Sequence, residues 1–107
     1  MAASIPAAKV ATVIFACEAG MGSSIMGVNA LKKKLRQANL SVNVVHCSVR
    51  ALPGDATVIV THRGLADLAR QKAPDAVVIA FSQFLNDPAF DRLVGWLKTG
   101  ADVVEVR

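Results

Sequence analysis

The chain has 107 residues, enough for one hydrophobic core but not for two. Hydrophobic residues make up 53% and charged residues 19%, which argues against a disordered chain. The longest apolar run, Ala76 to Phe81, falls far short of the ~18 residues of a membrane span, and a net charge of +4 with 5% aromatics and no Tyr argues against a nucleic-acid stacking surface.

Residues 1–8 are Ala-rich with Pro6 and read as a leader or as the boundary of a longer chain; residues 9–100 read as one domain. Lys9 to Ala16 is apolar enough to predict a strand buried on both faces, as in a parallel sheet. A small-residue loop follows, Glu18-Ala19-Gly20-Met21-Gly22-Ser23-Ser24. Ile25, Val28, Leu31 and Leu35 then recur at helical spacing, with Ser23 or Ser24 as N-cap and Asn39 as the stop. Lys32, Lys33, Lys34 and Arg36 crowd the C-terminal part of that helix, where the dipole favours cations.

Ser41 to Cys47 predicts a second strand, and Pro53-Gly54 a turn. A third strand runs from Thr57 to Thr61. Leu65, Leu68 and Ala69 mark a short helix that ends near Pro74. Ala76 to Ala80 is a fourth strand. Pro88 opens a last helix capped by Asn86 or Asp87, with Phe90, Leu93, Val94 and Leu97 inside and Gly100 at its end. Residues 101–107 form a tail, either a short strand or a linker. This alternation predicts an α/β protein: an open four-stranded parallel sheet with helices on both faces.

In such a sheet the working site lies beyond the carboxyl ends of the strands. Cys17 is predicted there, at the end of the first strand. The loop after it aims backbone N–H groups toward one point, and the helix dipole adds positive charge, which together make an anion site. Gly20 and Gly22 let the backbone close around a tetrahedral anion, and Ser23 and Ser24 add hydroxyl donors. The same field favours the thiolate over the thiol, so Cys17 is the candidate nucleophile toward phosphorus. That reading needs a sulfur open to its partner; the competing one is a buried structural thiol. Cysteine phosphatases close a similar loop as C-x5-R, with the Arg gripping phosphate. Here residue 23, the sixth after Cys17, is Ser, which favours a carrier over a hydrolase.

The run Cys17-Glu18-Ala19-Gly20-Met21-Gly22-Ser23-Ser24, continuing through Met26-Gly27 and Leu31-Lys32-Lys33, resembles the phosphocysteine loop and first helix of mannitol-type enzyme IIB domains. These belong to the bacterial phosphoenolpyruvate-dependent sugar phosphotransferase system. Thr61-His62-Arg63 with Leu65, and Phe84-Leu85, resemble two further segments. Glu18 departs from the usual Asp and is given no separate role.

The resemblance implies a phosphotyrosine-phosphatase-like fold and a protein-phosphohistidine–mannitol phosphotransferase component. Cys17 would take phosphate from a phosphohistidine of a IIA domain and pass it to mannitol held by a membrane IIC domain. It also implies a cytoplasmic location, free or at the inner face of the membrane on IIC, and allows a transcriptional regulator as a further partner. The chemistry calls for no cofactor and no metal.

His62 and Arg63 follow the third strand and are accessory candidates: contacts to phosphate or partner, or a helix cap and a solvated side chain. His46-Cys47 with Cys17 lacks paired ligand spacing for zinc and is read as core packing. The Lys32 to Arg36 cluster is a solvated helix face that also suits docking of an acidic partner. A small cysteine phosphatase, a phosphorylation-sensing binding module and a thiol redox protein are the competing functions, the last disfavoured for want of a nearby resolving cysteine.

Overall fold

The computed structural model describes residues 4–17, 23–54, 56–82 and 88–104, with backbone alone at 23–25 and 104. Four strands, β2 (Thr12–Cys17), β3 (Asn43–Ser48), β4 (Val58–His62) and β5 (Val77–Phe81), form one sheet in the order β3-β2-β4-β5. Every pairing is parallel. Helix α1 (Ser23–Gln37) joins β2 to β3, α2 (Ala66–Lys72) joins β4 to β5, and α3 (Pro88–Thr99) follows β5. The predicted four-stranded parallel sheet is therefore present, and its helices lie on both faces.

Side-chain alternation along the strands divides the core in two. Val13 and Phe15 of β2, Val58 and Val60 of β4, and Val77, Ile79 and Phe81 of β5 pack against Val28, Leu31 and Leu35 of α1 and Phe90, Leu93 and Leu97 of α3. Phe15, Phe81 and Phe90 meet as a trio with ring centroids 5.2–6.3 Å apart. Such pairs add ~0.5–1.5 kcal/mol each beyond the area they bury. The other face packs Ala16, Ile59 and Val78 against Ala66 and Ala69 of α2, with Val49 and Leu52 of the β3–β4 connection alongside. Of the residues expected to mark this helix, Ala69 is fully buried, whereas Leu68 and the preceding Leu65 are only partly buried. A helix of seven residues brings little apolar surface, and small side chains let its backbone approach the sheet.

The helix ends follow the chemistry of their residues. Beyond α1, the Leu40 amide donates to the Leu35 carbonyl and the Asn39 amide to that of Arg36, both at 3.0 Å. Asn39 takes the left-handed conformation this motif demands, with φ 58°. Gly100 does the same after α3 at φ 76°, and the Ala101 amide donates to the Trp96 carbonyl. The Ala73 amide, just before Pro74, closes α2 on the Ala69 carbonyl.

Two differences from the predicted elements are structural. Residues 7–9, read as leader and strand start, form a single 3₁₀ turn, and the strand proper begins at Thr12. Short β1 (Ser4–Pro6) pairs antiparallel with β6 (Asp102–Val104), joining the two ends of the described chain. Ile5 lies opposite Val103, which is fully buried in the α1/α3 core, so this ribbon is held by the same cluster as the sheet.

Candidate functional site

From β2 the chain leaves through α1 to β3 on one side; from β4 it leaves through α2 to β5 on the other. The strand order thus reverses between β2 and β4, and in open parallel sheets the crevice at the carboxyl ends of such a pair is where ligands bind. Cys17 is the last residue of β2 and His62 the last of β4, so two of the sequence candidates end adjacent strands at this point. The ladder runs to Ala16 opposite Thr61, immediately before them. Thr61 is fully buried, and its Oγ1 donates to the Ala16 carbonyl at 2.9 Å. That bond pins the peptide leading into Cys17.

Alternation places Cys17 on the α1/α3 face of the sheet, with Val13 and Phe15. On the neighbouring strand His46 lies opposite Phe15 and hence on the same face. Its ring reaches diagonally along β2 and brings Nε2 to 2.9 Å from Cys17 Sγ. A thiol at this separation donates to an unprotonated Nε2; a thiolate accepts from Nε2–H. His46 is exposed, contrary to the core packing expected for it. Its contact with the Cys17 sulfur was not expected from the sequence. The signal was present: Val42, Val44 and His46 share one parity, so the face that buries the valines also carries the histidine. Cys47 lies opposite Ala16 on the other face and packs against the alanine-rich core, as expected. Burial, and then the charge of Cys17, push its thiol above the usual range.

The sulfur itself does not meet the expectation of an open thiol. Cys17 is only 4% exposed, at the end of an inner strand and with its sulfur against the imidazole of the exposed His46.

The remaining predicted site residues divide by position. Glu18, Ala19, Gly20, Met21 and Gly22 lie outside the described residues, as do Phe84 and Leu85. Ser23 and Ser24 open α1 five residues beyond the end of β2, and no acidic side chain occupies the first turn of that helix. Its N-terminal amides and dipole thus lack an internal carboxylate partner from that turn. His62 accepts a hydrogen bond from the Gly64 amide on Nδ1 at 3.1 Å, capping the 3₁₀ turn before α2, and its ring meets Phe81 edge-on at 5.8 Å. Its Nδ1 therefore caps the following turn, as one of the two expectations for it allowed. Arg63 is exposed.

In the basic cluster, Lys34 pairs with Asp91 of α3 at 2.8 Å, while Lys32, Lys33 and Arg36 face solvent. Among the described residues no group of three His, Cys, Asp or Glu side chains is placed to hold a metal ion. No helix among them is long and apolar enough to cross a membrane.

Comparison with known proteins places the chain in a family. The chain is 44% identical over 91 residues to the "PTS system mannitol-specific EIICB component" of Geobacillus stearothermophilus, covering 85% of this chain and 19% of the relative. It is 44% identical over 86 residues to the protein of the same name from Bacillus subtilis, covering 80% and 18%. It is 45% identical over 87 residues to the "PTS system mannitol-specific EIICBA component" of Buchnera aphidicola, covering 80% and 14%. The chain thus spans at most about a fifth of the length of these relatives. A family model described as "PTS system, Lactose/Cellobiose specific IIB subunit" matches residues 12–94, from the first residue of β2 into α3, and the chain belongs to this PTS IIB family.

Proposed function

We propose that this chain is a phosphoryl carrier in mannitol uptake. Cys17 accepts a phosphoryl group from the phosphohistidine of a IIA domain and passes it to mannitol bound by a membrane IIC domain. The observation that carries the reading is the position of Cys17 at the carboxyl end of β2, at the switch point of a parallel sheet, with the start of α1 six residues further along the chain. The sugar and the membrane partner rest on the relatives, whose names couple a B unit to a C unit and specify mannitol. The family model instead carries the words lactose and cellobiose, but it describes the broader group, and the identity of about 44% to mannitol components is the more specific guide.

In this reading the sulfur attacks phosphorus in line as the P–N bond to the donor imidazole breaks. The anion formed lies before the N-terminal amides of α1. Ser23, where cysteine phosphatases carry Arg, leaves the thiophosphate without a guanidinium and suits a phosphoryl group that waits for an acceptor. Because Cys17 is nearly covered, docking of the donor must uncover it. The chain would act at the cytoplasmic face of the membrane beside IIC. A transcriptional regulator reading the phosphorylation state is compatible with the same site.

The test is mass spectrometry after incubation with phosphoenolpyruvate, enzyme I, the histidine carrier protein and IIA. A phosphate that maps to Cys17, is missing in Cys17→Ser and leaves on adding IIC membranes with mannitol supports the carrier. Steady turnover of an aryl phosphate, or phosphate on another residue, overturns it.

A further inference from the structure

The geometry points to His46 as the acid–base partner of the Cys17 sulfur, a catalytic role that deepens the carrier reading and rests on it. Three observations converge. The Nε2 to Sγ separation is 2.9 Å, within the reach required of a nucleophile and its base. The contact is built by the sheet, because the β2–β3 register sets Phe15 opposite His46 and so holds the ring on the face where Cys17 lies. The exposures are also unequal: Cys17 as a residue is 4% exposed, whereas His46 is an exposed residue. The imidazolium formed by taking a proton from the buried sulfur is therefore solvated, and its Nδ1 has no protein partner among the described residues. His62, the histidine that sequence position favoured, has its Nδ1 engaged by the Gly64 amide.

The step balances without a further reactant. The S–H bond breaks and an N–H bond forms at Nε2, leaving a thiolate beside an imidazolium. The thiolate then forms the S–P bond as the P–N bond of the phosphohistidine donor breaks, and that electron pair stays on the donor nitrogen. The Nε2–H of His46 is left to donate to a phosphoryl oxygen of the S-phosphocysteine. On transfer to a hydroxyl acceptor the O–P bond forms as the S–P bond breaks, the hydroxyl proton passes to water, the S–P electron pair returns to sulfur, and the same N–H stabilises the departing thiolate and then reprotonates it. A positioned imidazole thus serves both directions of a carrier cycle, which a base that surrendered its proton to bulk solvent would not.

The experiment uses the full chain with Cys47→Ser, so that Cys17 is its only thiol, and compares it with His46→Ala and His46→Gln in that background. Two rates are read: alkylation of Cys17 by iodoacetamide, which needs no donor protein, and single-turnover phosphorylation by phosphorylated IIA. Both are expected to fall by about 10²-fold in either variant, the low end for a positioned acid–base partner, and added imidazole is expected to restore part of the His46→Ala rates. A purely structural role would not be rescued by free imidazole. Because the ring is exposed, the Gln variant keeps a side chain of similar reach if Ala disturbs the fold. Unchanged alkylation and phosphorylation in both variants would overturn the pairing and leave the carrier reading standing. Slowed alkylation in a protein that IIA never phosphorylates would sustain the pairing and sink the carrier.

Discussion

The two faces of the central sheet are built from different materials. One is closed by α1 and α3 with Phe15, Phe81, Phe90, Leu31, Leu35 and Leu93, all nearly or fully buried. The other is closed by the seven-residue α2 with Ala66, Ala69, Ala73 and Ala76, each no more than 4% exposed. Large side chains hold two long helices at a distance that interdigitation sets, whereas alanines admit a short helix close to the strands. The cysteines divide in the same way: Cys17 stands on the aromatic face and Cys47, on the adjacent strand, on the alanine face. Backbone neighbours thus have unlike surroundings, and only Cys17 has an imidazole at its sulfur.

The contrast breaks most readily on the aromatic side. Phe90 is fully buried and touches both other rings of the trio. Phe90→Ala is expected to cost about 3–5 kcal/mol, the range for emptying a phenyl site in a core, read as a drop in the urea midpoint. On the alanine side the injury is of opposite sign. Ala69 is fully buried against the sheet, and Ala69→Leu is expected to cost about 1–3 kcal/mol through overpacking. The shorter Ala69→Gly does not test this, because it changes helix propensity instead. Should Ala69→Leu leave the midpoint unchanged, the alanine face is not close-packed and the contrast drawn here fails.

Much of this was legible beforehand, for a physical reason in each case. Val28, Leu31 and Leu35 repeat at helical spacing and are buried at 4%, 0% and 2%. The runs around Val58 to Val60 and Val77 to Ile79 are apolar at every position because their strands are covered on both faces. Asn39 and Gly100 announced helix ends because few residues tolerate positive φ. The contact between Cys17 and His46 was not legible. It joins residues 29 apart through a strand register, and a slip of one residue would have put the ring on the other face. The β1–β6 ribbon was hidden for the same reason, since three-residue strands at opposite ends of a chain carry no periodic signal.

The smallest expected effect tests the two cysteines through pH. Burial raises the Cys47 thiol above its ordinary 9.0, and the nearby charge of Cys17 adds a lesser push in the same direction. In the unfolded chain Cys47 loses its proton near 9.0, whereas in the folded protein it keeps it to higher pH. Between the two values the native state therefore binds more protons than the unfolded one, and stability falls as pH rises. This contribution is whole below 9.0 and is lost progressively up to the folded value. Urea midpoints measured from neutral to strongly alkaline pH should fall more steeply for the parent than for Cys47→Ser. Cys17→Ser should restore less to the Cys47 portion of that slope, because it relieves the secondary cause and leaves burial in place. Identical alkaline slopes in the parent and Cys47→Ser would mean that the alanine face leaves Cys47 as wet as in the unfolded chain, and the difference claimed between the two thiols would then reduce to the single contact with His46.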